Sequence, residues 1–228
     1  MPARDKTTLP SAQAPTWVPQ PGGRIPLNAG PAGATAATKG SLDACLAARR
    51  STREYQDKPV TLEQVSRLLW AAQGVTGVGG LRTAPSAGAI YPLSTYLVAT
   101  KVEGIAAGVY KYEPDTSELA CVERGERRKR LFQAAMGQEC VMSSPAAVLL
   151  VSWDKRIKAE FGDLSDRLIA MEAGHAAQNF LLEAVSLGLG CIGLAKFDND
   201  AMRSAVNFRS DEEPQYLLLT GYAAKKGK

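Results

Sequence analysis

The chain is predicted to fold as an α+β domain: a mixed β-sheet with helices on its faces. Three observations carry that expectation. Helical and strand-like patterns interleave from residue 41 onward. Two strand-like runs, 109–112 and 119–122, are joined by Glu113-Pro114-Asp115, which suits a hairpin and breaks any strict βαβ rhythm. The run 146–151 (Ala-Ala-Val-Leu-Leu-Val) is continuously apolar over the length of a strand, the pattern of a strand buried on both faces.

The elements follow in order. Pro, Gly and Ala supply 20 of the first 40 positions and leave no periodicity, so residues 1–40 read as an extended or disordered arm. Residues 41–228 read as one domain. Ser41 is placed to cap a short helix carrying Leu42, Cys45, Leu46 and Arg49. Thr61-Leu62-Glu63-Gln64 is a capping box opening a second helix, whose apolar stripe is Leu62, Val65, Leu68, Leu69 and Ala72. Gly74 ends it, and a Gly-rich loop runs to Gly80. Pro92 precedes a strand at 95–99. A helix is expected around 126–137. The longest helix is expected at 163–187, about 37 Å at 1.5 Å per residue. It is apolar nearly all round, which implies burial inside the domain or between subunits. Asp198 caps a short helix, and 216–220 forms a last strand.

Composition narrows the function. The 228 residues are 45% hydrophobic and 22% charged, ordinary for a globular domain, and the net charge of +4 comes with no basic arm for nucleic acid. The densest basic run, Arg127-Arg128-Lys129-Arg130, reads as the solvated start of a helix. No apolar run approaches the ~20 residues that span a membrane, and the N-terminus lacks the apolar core of a signal peptide. The four scattered cysteines and single histidine match no metal-ligand spacing. Reduced thiols and a cytoplasmic location are therefore expected.

Four segments carry candidate chemistry. Arg49-Arg50-Ser51-Thr52-Arg53-Glu54-Tyr55 places three guanidinium groups and hydroxyls where they could surround a phosphate. Equally, arginine favours the last turn of a helix, where it offsets the dipole. Gly188-Leu189-Gly190-Cys191-Ile192-Gly193 matches GxGxxG, but it follows a helix and leads into a strand, the reverse of a dinucleotide fingerprint. It reads as a glycine C-cap and tight crossover whose backbone lets a flat ligand approach. Thr83 to Pro92 is a run of small residues, either a plain surface loop or a platform for a planar ring. His175 sits mid-helix with no sign of a catalytic triad, and a partnered structural role is expected.

Taken together these segments resemble the nitroreductase-like flavoprotein family, and most closely its branch of peptide azoline dehydrogenases. The resemblance runs from about Ser41 to Tyr222. It is carried by 49–55, Leu68-Leu69-Trp70-Ala71-Ala72-Gln73-Gly74, Ala84 to Pro92, Gly108-Val109-Tyr110, Glu172 to Asn179, and 188–193. It implies the nitroreductase-like fold and FMN held at the interface of an intertwined homodimer. Arg49, Ser51 and Arg53 would hold the FMN phosphate, with Arg50 nearby and Lys225 or Lys226 as a late basic residue. Pro85, Ser86, Ala87 and Gly88 would line the isoalloxazine, from the other subunit. The backbone at Gly193 and Leu194 would face flavin N5. The implied activity is an FMN-dependent oxidoreductase. It either reduces nitroaromatic or quinone-type acceptors with NAD(P)H or dehydrogenates an azoline-like substrate. A flavin-handling protein with no NAD(P)H-linked substrate is the alternative. Some members of the azoline branch use a Lys-Tyr pair for proton transfer; Lys111-Tyr112 has those types but reads as an exposed pair on a strand. In a flavin enzyme the cofactor carries the hard chemistry, which accounts for the scarcity of acid and base motifs.

Overall fold

The computed structural model describes residues 21–27, 42–153 and 155–224. Ser41 and Lys225–Lys226 lie outside these residues.

Helix starts and stops follow local chemistry. After α1 (Leu42–Ala48) and the two-residue β2 (Val60–Thr61), α2 (Leu62–Gln73) opens on the expected capping box. The Gln64 N–H donates to Thr61 Oγ1 at 3.1 Å and the Thr61 N–H to Gln64 Oε1 at 3.0 Å, so two otherwise orphaned donors are satisfied. A strand β1 (Arg24–Pro26) precedes these elements inside the segment read as an arm.

Strands β3 (Leu93–Ala99), β4 (Val102–Glu103), β5 (Gly108–Glu113) and β6 (Glu118–Arg124) come next. The β5–β6 pair is the expected hairpin, with a register shift at Val109/Tyr110. Helices α3 (Arg128–Ala134) and α4 (Cys140–Ser143) lead to β7 (Ala146–Ser152), and α5 (Lys155–Phe161) and a 3-10 turn at Gly162–Leu164 lead to α6 (Ser165–Ser186). The chain then forms β8 (Gly190–Leu194), α7 (Asn199–Val206) and β9 (Glu213–Gly221). Asp198 caps α7, its Oδ1 accepting from the Ala201 N–H at 2.7 Å.

The main sheet has the order β1-β6-β5-β3-β7-β9-β8. Its pairings are antiparallel throughout; parallel pairing is confined to β2–β4 and to a bridge between Ser51 and Cys191. β7, at the centre, is buried along its whole length. Its Ala146, Val148 and Leu150 pack with α2 and α6, while Ala147, Leu149 and Val151 pack with α3 and α7. The two-faced apolar run is thus the middle of a helix–sheet–helix sandwich.

α6 is more one-sided than its composition implied. Ile169, Glu172, Ala173, Ala176, Ala177, Phe180 and Ala184 are buried, while Leu164 and Met171 stand about half exposed (50% and 53%). His175 is exposed, so the expected structural partner does not bury it. Two further readings are corrected. Arg127 is buried rather than solvated, in an ion pair with Glu123. Tyr112 is buried rather than exposed, its ring sealed into the α2/α6 face. Each follows from a neighbour on another strand, which a local pattern does not record.

Candidate functional site

The segment 49–55 is seated by its backbone. The Thr52 N–H donates to the Cys191 carbonyl at 2.9 Å beside β8, and the Gln56 N–H donates to the Tyr222 carbonyl at 2.8 Å just past β9. The Ala224 N–H donates back to Glu54 at 2.9 Å. Gly190 permits this approach, since a Cβ there would lie 2.7 Å from the Thr52 side chain. Because the backbone satisfies itself, the polar side chains are left over. Ser51 and Arg53 are exposed, Arg49 is half-buried, and no carboxylate among the described residues forms an ion pair with either arginine. The two charges flank the bridge. Arg49 lowers the Cys191 thiol, which burial nevertheless pushes up to about 11; Arg53 acts on Cys140 and Tyr55.

Arg50 behaves differently. Its Nη1 donates to the Ala47 and Arg49 carbonyls at 3.0 and 2.7 Å, at the C-terminal end of α1. That is the helix-end role weighed above, and it turns this guanidinium away from Ser51's neighbours.

Gly193 lies two residues beyond Cys191 on the sheet's edge strand. N–H and C=O of one strand residue point the same way, and the direction alternates. Since the Cys191 carbonyl points outward to Thr52, the Gly193 N–H and C=O point to the same open edge. Gly193 is also where a Cβ would meet the Tyr216 ring at 2.7 Å. Leu194 is buried. The crossover before β8 is a Schellman motif: Gly188 has φ +71°, its N–H donates to Val185 at 2.9 Å, and the Leu189 N–H donates to Ala184 at 2.8 Å.

The 82–91 loop is held by side chains instead. Asn179 Nδ2 of α6 donates to the Thr83 carbonyl at 3.2 Å, and Thr83 Oγ1 donates to Trp70 at 3.2 Å. The Arg82 guanidinium lies over the Tyr91 ring, 4.7 Å from its centre, while Nη1 donates to Gln73 Oε1 at 2.8 Å. The Tyr91 N–H donates to Ser86 Oγ at 2.9 Å, tying the loop ends together. Ala89 and Tyr91 both have φ +52°, left-handed backbone that costs a non-glycine residue about 1 kcal/mol or more. Ser86 and Ala87 are half-buried; Pro85 and Gly88 are exposed, with Phe161 of α5 near Gly88.

Beneath this loop lies a group that the sequence reading did not single out. Glu172 of α6 is 2% exposed, and neither carboxylate oxygen has a hydrogen-bond partner of full geometry. Burial pushes its carboxyl up to about 7, opposed by the Ser86 hydroxyl and by Arg82. Gln73 Nε2 and Arg82 Nε are buried without partners as well. One signal was present: Glu172 stands three residues after Ile169 and four before Ala176, on the stripe that faces the core.

The structure therefore brings Arg49, Ser51, Arg53 and Gly193 to one edge of the sheet and Pro85–Gly88 to the α6 side. Among the described residues no hydrogen bond joins the 49–53 segment to the 82–91 loop. A groove of about 310 Å³ opens beside Thr83, walled by Leu42, Cys45, Trp70, Asn179 and Leu182 among others; none of residues 49–53 lines it. Leu42 and Leu46 of α1 are exposed at 65% and 51%. Among the described residues no cluster of three or more His, Cys, Asp or Glu could hold a metal, and no helix is long and apolar enough to cross a membrane.

Comparison with known proteins agrees with this geometry. A nitroreductase-type protein of Methanocaldococcus jannaschii is 37% identical over 180 residues, covering 79% of this chain and 90% of that protein. A solved nitroreductase-type structure from Ralstonia eutropha superposes with a TM-score of 0.74 at 28% identity, over 89% of this chain and 90% of the other. One from Anabaena variabilis gives 0.73 at 28% identity over 80% of this chain, which spans only 38% of the length of that one. The Escherichia coli microcin synthetase McbBCD complex bound to truncated pro-MccB17 contains a chain with the same fold, TM-score 0.68 at 20% identity, over 90% of this chain and 77% of that one. The family model described as the nitroreductase family matches residues 46–222, and the chain belongs to that family.

Proposed function

We propose that the protein is an FMN-dependent oxidoreductase that works as a homodimer. The observation that carries this reading is the pairing of two unfilled donor sets on one strand edge. Arg49, Ser51 and Arg53 offer charge and hydroxyl beside Cys191, and Gly193 offers free backbone two residues on, about 7 Å away at strand rise. A molecule with an anionic end and a flat polar ring suits that spacing, and glycine leaves the ring room. FMN, when bound, supplies hydride transfer through its N5.

This chain's own residues bind and orient. Arg49 and Arg53 neutralise the phosphate, aided by the Ser51 hydroxyl. The Gly193 backbone meets the polar ring edge. Loop 85–88, with few bulky side chains and a fixed shape, forms a stacking surface; because it hangs on other elements, we assign it to the flavin of the partner subunit. The exposed Leu42, Leu46 and Met171 are apolar surface that a second copy would cover. Substrate would stack on the open ring face, where close positioning does most of the work.

The test is the visible spectrum of the protein purified without added cofactor, then anaerobic titration with NADH and NADPH. Bound flavin that bleaches with either nucleotide supports reduction of nitroaromatic or quinone-type acceptors. Bound flavin that stays oxidised directs the search to azoline-type dehydrogenation or to flavin handling. A protein that neither carries nor takes up FMN refutes the reading.

A further inference from the structure

We propose that Glu172 is a positioning residue for the ring-lining loop: from inside the core it anchors Ser86, and through Ser86 it fixes the shape that Pro85–Gly88 present to the flavin. The proposal rests on the functional reading above.

The geometry is as follows. Ser86 Oγ already accepts the Tyr91 N–H, so its hydroxyl hydrogen is free to point elsewhere. The acceptor facing it is the Glu172 carboxylate, which the hydroxyl reaches at the fringe of hydrogen-bonding geometry and whose oxygens have nothing better. One serine thus links the turn to the helix: it accepts from Tyr91 and donates to Glu172. Two left-handed non-glycine residues, Ala89 and Tyr91, lie in the same turn, and such backbone persists only where its surroundings over-determine it.

The charged and polar surroundings are few. From the loop come Arg82 and Ser86; from the end of α2 comes Gln73, which holds Arg82 by its Nη1. From the β5–β6 hairpin Tyr112 and Asp115 act on Arg82. On α6 itself the neighbours one turn away, Leu168, Ile169 and Ala176, are apolar, and His175 is exposed. Arg82 is the cation that acts on the carboxylate, and its guanidinium is committed to Gln73 and the Tyr91 ring. An ionised Glu172 therefore draws most of its local support from Ser86.

Protonation changes that link. An ionised carboxylate receives a charge-assisted bond from Ser86, roughly twice as strong as a neutral one. A protonated carboxyl instead competes with the Tyr91 N–H for the Ser86 oxygen. The loop is held best with Glu172 ionised, and its carboxyl titrates at about 7.

The test is FMN affinity by flavin fluorescence for the wild type, E172Q and S86A, from about pH 6 to about pH 8. The FMN phosphate itself titrates near pH 6, so the quantity read is the ratio of wild-type to variant affinity at each pH. We expect that ratio to rise about tenfold across the range for E172Q, with S86A losing the same step, as befits the difference between a charged and a neutral hydrogen bond. A ratio independent of pH, with all three proteins binding FMN, overturns the proposal and leaves the functional reading standing. Failure of the wild type to bind FMN at any pH overturns both. Should E172Q fail to fold, S86A carries the test, supported by infrared titration of the flavin-free wild type. A carboxylic-acid carbonyl band that disappears around neutral pH is expected there, and its absence counts against a buried titrating Glu172.

Discussion

The 49–55 segment and the 82–91 loop solve opposite problems. The first spends its backbone on the sheet and leaves its charges in solvent. The second spends its side chains on one another and buries them, with orphaned polar atoms on Gln73, Arg82 and Glu172. A site assembled from both has one part that attracts by charge and another that is shaped at an internal cost. The first should tolerate substitution in stability but not in affinity, and the second should show its changes in both.

The double variant R49A/R53A is the sharpest way to break that contrast. Each charged hydrogen bond is worth about 1.5–3 kcal/mol, so FMN affinity should fall about a hundredfold or more, while unfolding free energy stays within about 0.5 kcal/mol. Flavin content equal to wild type would remove the phosphate assignment.

Glu172 gives the next largest effect, in stability. Its folded carboxyl titrates at about 7 against a model value of 4.5. Between those values the folded state keeps a proton that the unfolded state has lost, so stability is fullest below about pH 4.5 and declines as pH rises through 7. The decline amounts to about 3 kcal/mol at most, at about 1.4 kcal/mol per pH unit. E172Q should lack this component and exceed the wild type most clearly above pH 7 in urea titrations. Parallel pH profiles for the two proteins would show the carboxylate to be compensated.

G190A should be milder. The added methyl meets the Thr52 side chain at 2.7 Å and pushes the arginine segment off β8. A loss of about 1–3 kcal/mol is expected, with weakened flavin binding. Binding unaltered despite lost stability would detach the seat of the segment from its function. R50A closes the series: removing its helix-end contacts should cost about 0.5 kcal/mol and lower flavin affinity the least of the three arginines. An affinity loss matching that of R49A would place Arg50 at the phosphate after all.

Legibility in the sequence divides along the same line. Signals written in adjacent residues came through: the Thr61 capping box, the two-faced run at 146–151, and the glycine exit from α6 at Gly188. Strand β1 did not, because three residues take their extended form from β6, nearly a hundred positions away. Helix α5 has no capping motif and was not anticipated. At the site, the arginines were legible because exposed charge is unusual at such density. The buried polar group under the loop was not, since a glutamate near glutamine and asparagine reads as solvent-facing until Arg82 and Ser86 fold over it. Tyr216 crossing Gly193 is likewise a contact between strands.

The seating of residues 49–56 also has a consequence for biosynthesis. Gln56 donates a hydrogen bond to Ala223, 167 positions later, and Thr52 waits for Cys191. On the ribosome, where a chain emerges from its N-terminus, the arginines appear early, but the strands that seat them arrive late. The phosphate-binding edge is completed only when β8 and β9 join the sheet. Cofactor capture thus comes after synthesis of the domain, and flavin cannot template the fold from its first helices.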